Sequence, residues 1–179
     1  YPLRGTGKSS YIQTDERGKS YSLTADYDSL HIDWNSIKNK YDLQESTDAS
    51  ESVSRLLYYC AVAAAAKFSP ETTTGYVKPI TMALHKNFGY HPSIRYIRKN
   101  ELSGVELQQL FYRELEAKRP VLCCGLSHFF VCDGFADDYF HINWGWRGAM
   151  DGYFKLSVFG AKADKLQIFD DVIVNIRPC

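Results

Sequence analysis

The stretch Pro120–Leu156, PVLCCGLSHFFVCDGFADDYFHINWGWRGAMDGYFKL, decides the fold. Within it Val121–Cys124, Phe129–Phe135, Tyr139–Asn143 and Gly152–Leu156 are short runs rich in aromatic and β-branched residues. Polar or Gly turns at Gly125–Ser127, Ala136–Asp138 and Arg147–Asp151 separate them, the pattern of consecutive antiparallel strands with tight connections. His128 opens the second run and Asn143 closes the third, so a hairpin turning at Asp137-Asp138 sets them side by side. An Asn carbonyl beside an imidazole fixes its tautomer and aims it at a nucleophile, the third-member role in Cys/His/Asn catalysis. Trp144 and Trp146, spaced by Gly145, sit where they would screen that polar pair from water. Taken alone, the same His and two Trp also fit a plain packing role.

Upstream, helical spacing takes over. Tyr11-Ile-Gln-Thr and Tyr21-Ser-Leu-Thr flank Asp15-Glu-Arg-Gly18, two short exposed strands around a turn. Asp26–Ile37, with Leu30, Ile32, Trp34 and Ile37, mixes both periods and is expected to pack irregularly. A helix is expected from about Ala49, with Asp48 and Glu51 at capping-box spacing and a stripe of Val53, Leu56, Leu57, Cys60 and Ala64; Pro70 bars its continuation. A second runs from Val77 or Lys78 to Asn87, with Pro79 in its first turn and Gly89 past its end. A third is signalled by Ser103 and Glu106, then Leu107, Leu110, Phe111 and Leu115. Phe169–Ile176 reads as a last strand. Helices followed by a sheet make an α+β protein, with a helical lobe over about residues 1–118 and an antiparallel sheet lobe over about 119–179.

The 179 residues, 45% hydrophobic and 15% aromatic, suffice for a proper core in one domain or two small lobes. Lys plus Arg equals Asp plus Glu, 21 against 21, so no net field recruits nucleic acid or an anionic membrane. No run approaches the length of a membrane span, and no signal peptide is present, as in a mature exported protein. Cys60, Cys123, Cys124, Cys132 and Cys179 are odd in number and lack metal-ligand spacing, which suggests neither a metal site nor a disulfide framework. No cofactor is called for.

None of these cysteines suits a nucleophile. Cys60 falls mid-helix on the apolar stripe and is expected to be buried, whereas a catalytic thiol belongs at a helix N-terminus. Cys132 lies about 13 Å along the strand from His128, too far for proton transfer. Cys123 and Cys124 point to opposite faces of a strand, cannot bridge one another, and lack helical context; Cys179 is terminal.

His128-Phe-Phe-Val-Cys-Asp-Gly134, then His141-Ile-Asn-Trp-Gly-Trp146 and Asp151-Gly-Tyr-Phe154, resemble the streptopain family of bacterial papain-like cysteine peptidases. Tyr1-Pro2, Gly5, Gly7 and Asp33-Trp34-Asn35-Ser36-Ile37 extend the resemblance loosely over nearly the whole chain. It implies a papain-like two-lobe fold, with His128 as catalytic base, Asn143 orienting it, and Trp144 and Trp146 packed around the pair. It also implies a nucleophile helix before the Tyr-Pro element, hence a fold incomplete at its N-terminus, with the cysteine carried outside these residues. Phe68-Ser-Pro-Glu-Thr-Thr-Thr-Gly75 aligns with a cleft-lining loop, which makes Phe68, Pro70, Thr72, Thr73 and Thr74 candidate substrate contacts. Departures are the short Gly125-Leu126-Ser127 connection, Phe129 where a small residue is usual, and Arg147 in place of a Gly.

The expected function is a cysteine endopeptidase acting on protein or peptide substrates, exported or at the surface of a bacterium. A propeptide or separate segment carrying the cysteine helix is its expected partner. The alternative is a non-catalytic protein binding peptide or glycan through an aromatic groove of Tyr139, Trp144, Trp146 and Tyr153.

Overall fold

The computed structural model describes residues 5–38, 41, 48–125, 127–155 and 170–179. Tyr1, Pro2, Leu126, Leu156, Phe169 and the side chain of Asp48, all used above, lie outside them. The chain divides into two compact units, residues 1–90 with Pro178 and residues 91–177 with Cys179.

In the first unit β1 (Lys8–Thr14) and β2 (Ser20–Asp26) form the expected hairpin, with Thr14 opposite Ser20. Asp15 makes its turn: one carboxylate oxygen accepts from the backbone N–H groups of Arg17 and Lys19, both at 2.9 Å. After α1 (Asp48–Ala63) come the two-residue strands β3 (Lys67–Phe68) and β4 (Thr73–Thr74), then α2 (Val77–Lys86). The core gathers around Tyr27, which is fully buried and meets Tyr59 and Phe88 edge-on, each at 5.6 Å between centroids. Such aromatic pairs contribute about 0.5–1.5 kcal/mol beyond area burial. The irregular segment after β2 earns its place here, since Leu30 joins the same cluster.

The inward face of α1 differs from the expected stripe. Val62 is buried, with Tyr59 and Ala63 packed beside it, whereas Leu57 is 63% exposed and Cys60 is exposed too. The expectation that Cys60 is buried is therefore corrected. The Ala-rich end of the helix is apolar all round, so periodicity alone selects no single face.

Among its described residues the second unit is one antiparallel sheet carrying one α-helix. Its strands are β5 (Arg95–Arg98), β6 (Val121–Gly125), β7 (His128–Ala136), β8 (Tyr139–Asn143), β9 (Gly152–Lys155) and β10 (Asp171–Val174), in the order β5-β10-β6-β7-β8-β9. Helix α3 (Gly104–Glu116) starts at the expected capping box: Ser103 accepts from the Glu106 N–H, and the Glu106 carboxylate accepts from the Ser103 N–H. Leu107, Leu110 and Phe111 bury against Val121, Phe130, Phe140, Ile142 and Val172. Because α3 and β5 belong to this core, the boundary falls at 90/91 rather than near 118/119.

Glu114 on α3 is only 3% exposed. Arg119 grips it with two bonds, at 2.8 and 3.0 Å, and the Asn175 N–H donates to it at 2.9 Å. A buried carboxylate survives only with such pairing. The clamp ties the end of α3 to both the entry of β6 and the exit of β10.

Candidate active site

His128 begins β7 directly after the turn. Gly125 pairs with His128 across that turn, so the β6–β7 connection is a two-residue link. Strand β7 has nine residues and β8 five, and Val131 is the partner of Asn143. His128 therefore reaches past the end of β8 and lies level with the chain that follows Asn143.

That offset decides its partner. The Nε2 atom of His128 is 2.7 Å from the carbonyl oxygen of Trp144. A carbonyl only accepts, so Nε2 carries the proton, and in the neutral ring Nδ1 is left with its lone pair. Nδ1 has no hydrogen-bond partner among the described residues. The expected direct Asn143–His128 bond is replaced by a relay. Asn143 Oδ1 accepts from the Gly145 N–H at 2.9 Å, and that N–H belongs to the same peptide group as the Trp144 carbonyl. Gly145 holds φ at 74°, a left-handed value natural to glycine, and this turns the peptide toward both partners.

Aromatic rings enclose one side of the imidazole. Trp146, 47% exposed, stacks on His128 at 4.8 Å and 30°. Trp144 stacks on Trp146 at 5.6 Å and packs on Phe130 at 4.7 Å, with Phe154 at its edge. The order His128, Trp146, Trp144 makes a continuous stack from the site into the sheet core. Tyr139 and Tyr153 do not join it: β8–β9 pairing puts them with His141 on the opposite sheet face. The four aromatics proposed as one groove are split between two faces.

His141, also within the sequence stretch, makes a different contact. A β-bulge between Cys132 and Gly134 leaves Asp133 as the extra residue, and Asp133 Oδ1 meets His141 Nδ1 at 2.6 Å. No hairpin pattern announces that bulge, so this pair was not legible in the sequence. The Trp144 carbonyl was not legible either, since every residue has one.

All five cysteines are free thiols. Burial raises Cys123 well above the usual thiol range, raises Cys132 to about 12, and also raises Cys124. Cys60 presents surface to solvent, yet enough protein crowds its sulfur to push the thiol up to about 11. Thiolates are the reactive form, and these environments suppress them.

In the first unit Phe68, Pro70, Thr72 and Thr74 line a cavity of about 750 Å³ together with the hairpin tip at Asp15–Arg17; Thr73 pairs with Phe68 instead of lining it. Gln13 fixes this loop, accepting from the Phe68 N–H at 2.7 Å and donating to its carbonyl. Among the described residues no three His, Cys, Asp or Glu side chains gather as a metal site, and no helix is long and apolar enough to cross a membrane.

This two-unit α+β chain, with a histidine capping a stack of two tryptophans, has the papain-like fold. Prevotella intermedia prointerpain A, solved as a fragment carrying a Cys-to-Ala substitution, superposes with a TM-score of 0.87 over 100% of this chain and 59% of that one, at 23% identity. Active interpain A from the same organism gives 0.82 over 99% of this chain and 77% of that one, at 23% identity. The chain belongs to the peptidase C10 family, whose pattern matches residues 1–154. Streptopain of Streptococcus pyogenes is 26% identical over 99% of this chain and 48% of its own length, so the chain spans about half of that relative. The thiol protease/hemagglutinin PrtT of Porphyromonas gingivalis is 35% identical over 55% of this chain and 13% of its own length.

Proposed function

We propose that this chain forms the histidine-bearing part of a cysteine endopeptidase. The observation that carries the proposal is His128, tied through Nε2–H to the Trp144 carbonyl with Nδ1 left open among the described residues. A thiol facing Nδ1 gives its proton to that nitrogen. The thiolate attacks the peptide carbonyl carbon; the tetrahedral intermediate collapses, and the amine leaves with the Nδ1 proton. Water then gives a proton to Nδ1 and its oxygen to the acyl carbon, which frees the acid and restores the thiol. The Trp144 carbonyl and the face of Trp146 both favour the imidazolium that forms on the way. Asn143 acts by holding the Trp144–Gly145 peptide.

The nucleophile is assigned to a cysteine outside these 179 residues. The suppressed thiols of Cys60, Cys123, Cys124 and Cys132 support this. So does the open apolar surface of α1 at Leu57 and Tyr58, on which a further helix can lie. Protein substrates, a propeptide partner and export from a bacterial cell go with this proposal, as do substrate contacts from Phe68, Pro70, Thr72 and Thr74.

The test is limited alkylation of the full-length gene product with iodoacetamide near pH 6, followed by peptide mapping. The expected result is rapid labelling of one cysteine outside residues 1–179, with loss of proteolysis, and no rapid labelling in His128→Ala. Rapid labelling of Cys60 instead, or no hydrolysis of any protein substrate, would overturn it; the latter favours a binding protein on the same fold.

A further inference from the structure

Asp151 has no part in the relay described so far, yet it holds the other side of the same backbone. Its Oδ1 accepts from the Trp144 N–H at 2.8 Å. Two successive peptide groups are thus fixed by side chains: 143–144 by Asp151, and 144–145 by Asn143 at 2.9 Å. The carbonyl that receives His128 Nε2–H leaves the residue held between them.

The intervening loop shows what the clamp works against. Arg147, Gly148 and Met150 all have positive φ, at 57°, 80° and 64°, and the Ala149 N–H closes back on the Trp146 carbonyl at 3.0 Å. Left-handed backbone is disfavoured for L side chains and persists where contacts over-determine it. Asp151 is half-buried at the loop's exit, and a Cβ on Gly148 would stand 4.0 Å from its Oδ2. A tight, strained loop thereby delivers one carboxylate back onto one N–H, seven residues away along the chain.

We infer that Asp151 is a positioning residue for His128: by holding the Trp144 N–H it aims the Trp144 carbonyl at Nε2 and so keeps Nδ1 turned toward the nucleophile. This rests on His128 being the catalytic base. Without the carboxylate, the partly buried Trp144 N–H turns to find another acceptor and carries the carbonyl off Nε2. The imidazole then samples its second tautomer, in which Nδ1 bears the proton and accepts none.

The experiment compares Asp151→Ala, Asp151→Asn and Asp151→Glu in the full-length protein, by steady-state kinetics and by NMR of the His128 ring. Asp151→Ala is expected to lower kcat about 10- to 100-fold with KM held within about twofold, the scale seen when a supporting partner of a working group is lost. Asp151→Asn, whose amide oxygen still accepts, is expected to stay within about threefold of wild type. Asp151→Glu keeps the charge but moves the acceptor by one methylene, and is expected to fall toward the Ala variant; it carries the test if Asp151→Ala does not fold. The His128 resonances should shift or broaden in the Ala and Glu variants and stay put in the Asn variant. Unchanged kcat and an unchanged His128 ring in Asp151→Ala would overturn the inference, as would an Asn variant as impaired as the Ala one. If His128→Ala retains activity, the base assignment falls by itself, and the NMR comparison still decides whether Asp151 governs the ring.

Discussion

His128 and His141 lie on adjacent strands of one sheet, thirteen positions apart in the chain, and are held in opposite ways. His141 gives its Nδ1 to the Asp133 carboxylate at 2.6 Å, on a bulge, with the Tyr153 ring at its edge. Among the described residues His128 engages only through Nε2, to a neutral carbonyl, with its ring against Trp146. A carboxylate partner makes a local tie; a carbonyl partner orients the ring without neutralising it. Strand context is nearly the same for both, so the backbone path after Asn143, not the imidazole itself, sets the two histidines apart.

The largest effect expected is on that contrast. His128→Ala should lower kcat/KM about 10²- to 10⁴-fold, the range for loss of a general base, whereas His141→Ala should stay within about threefold, measured on the same peptide substrate. Equal losses would break the comparison. Next comes Trp146→Ala. A cation held over an exposed aromatic face gains about 0.5–1 kcal/mol, so kcat/KM should fall about two- to fivefold. Asp133→Asn tests the other histidine. The Asp133–His141 pair is part-exposed, so the variant should lose about 0.2–1 kcal/mol in urea unfolding with turnover unchanged.

The smallest effect touches neither histidine and serves as a control. Hydrogen bonds from the Ser103 backbone and hydroxyl hold the Glu106 carboxyl below its ordinary value of 4.5. Its contribution to stability is therefore complete above that ordinary value and is lost as pH falls through the lower folded-state value. Glu106→Gln should lie slightly below wild type in stability at neutral pH, with the gap closing in acid. Acid unfolding curves of the two proteins check this, and a gap that widens on acidification would contradict it.

The four strands from Val121 to Lys155 were legible because alternation and turn residues are local. The capping box at Ser103 and Glu106 was legible for the same reason. Strand β10, inserted between β5 and β6, was legible as a strand but not in its place, since pairing over such a chain distance leaves no local mark. Strand β5, Arg95-Tyr-Ile-Arg98, is too short and charged to stand out. Glu114 reads as an ordinary surface acid until Arg119 and Asn175 close on it.

At the site, the side chains His128, Asn143, Trp144 and Trp146 were all singled out from the sequence. Their connection was not. A hairpin read by matched ends sets Asn143 against His128, but β7 outruns β8 even after the bulge at Asp133 takes up one of its residues. The ring thus meets a main-chain carbonyl, and Asn143 and Asp151 take hold of the backbone that presents it.

The most direct measurement is a long-range proton–nitrogen correlation spectrum of the imidazole rings, recorded on the full-length protein at a pH where His128 is neutral. A single His128 tautomer is predicted, with the proton on Nε2 and an unprotonated Nδ1. A His128 ring protonated at Nδ1, or averaging freely between the two forms, would contradict the account, because the nitrogen required to receive the thiol proton would then be occupied or unaimed.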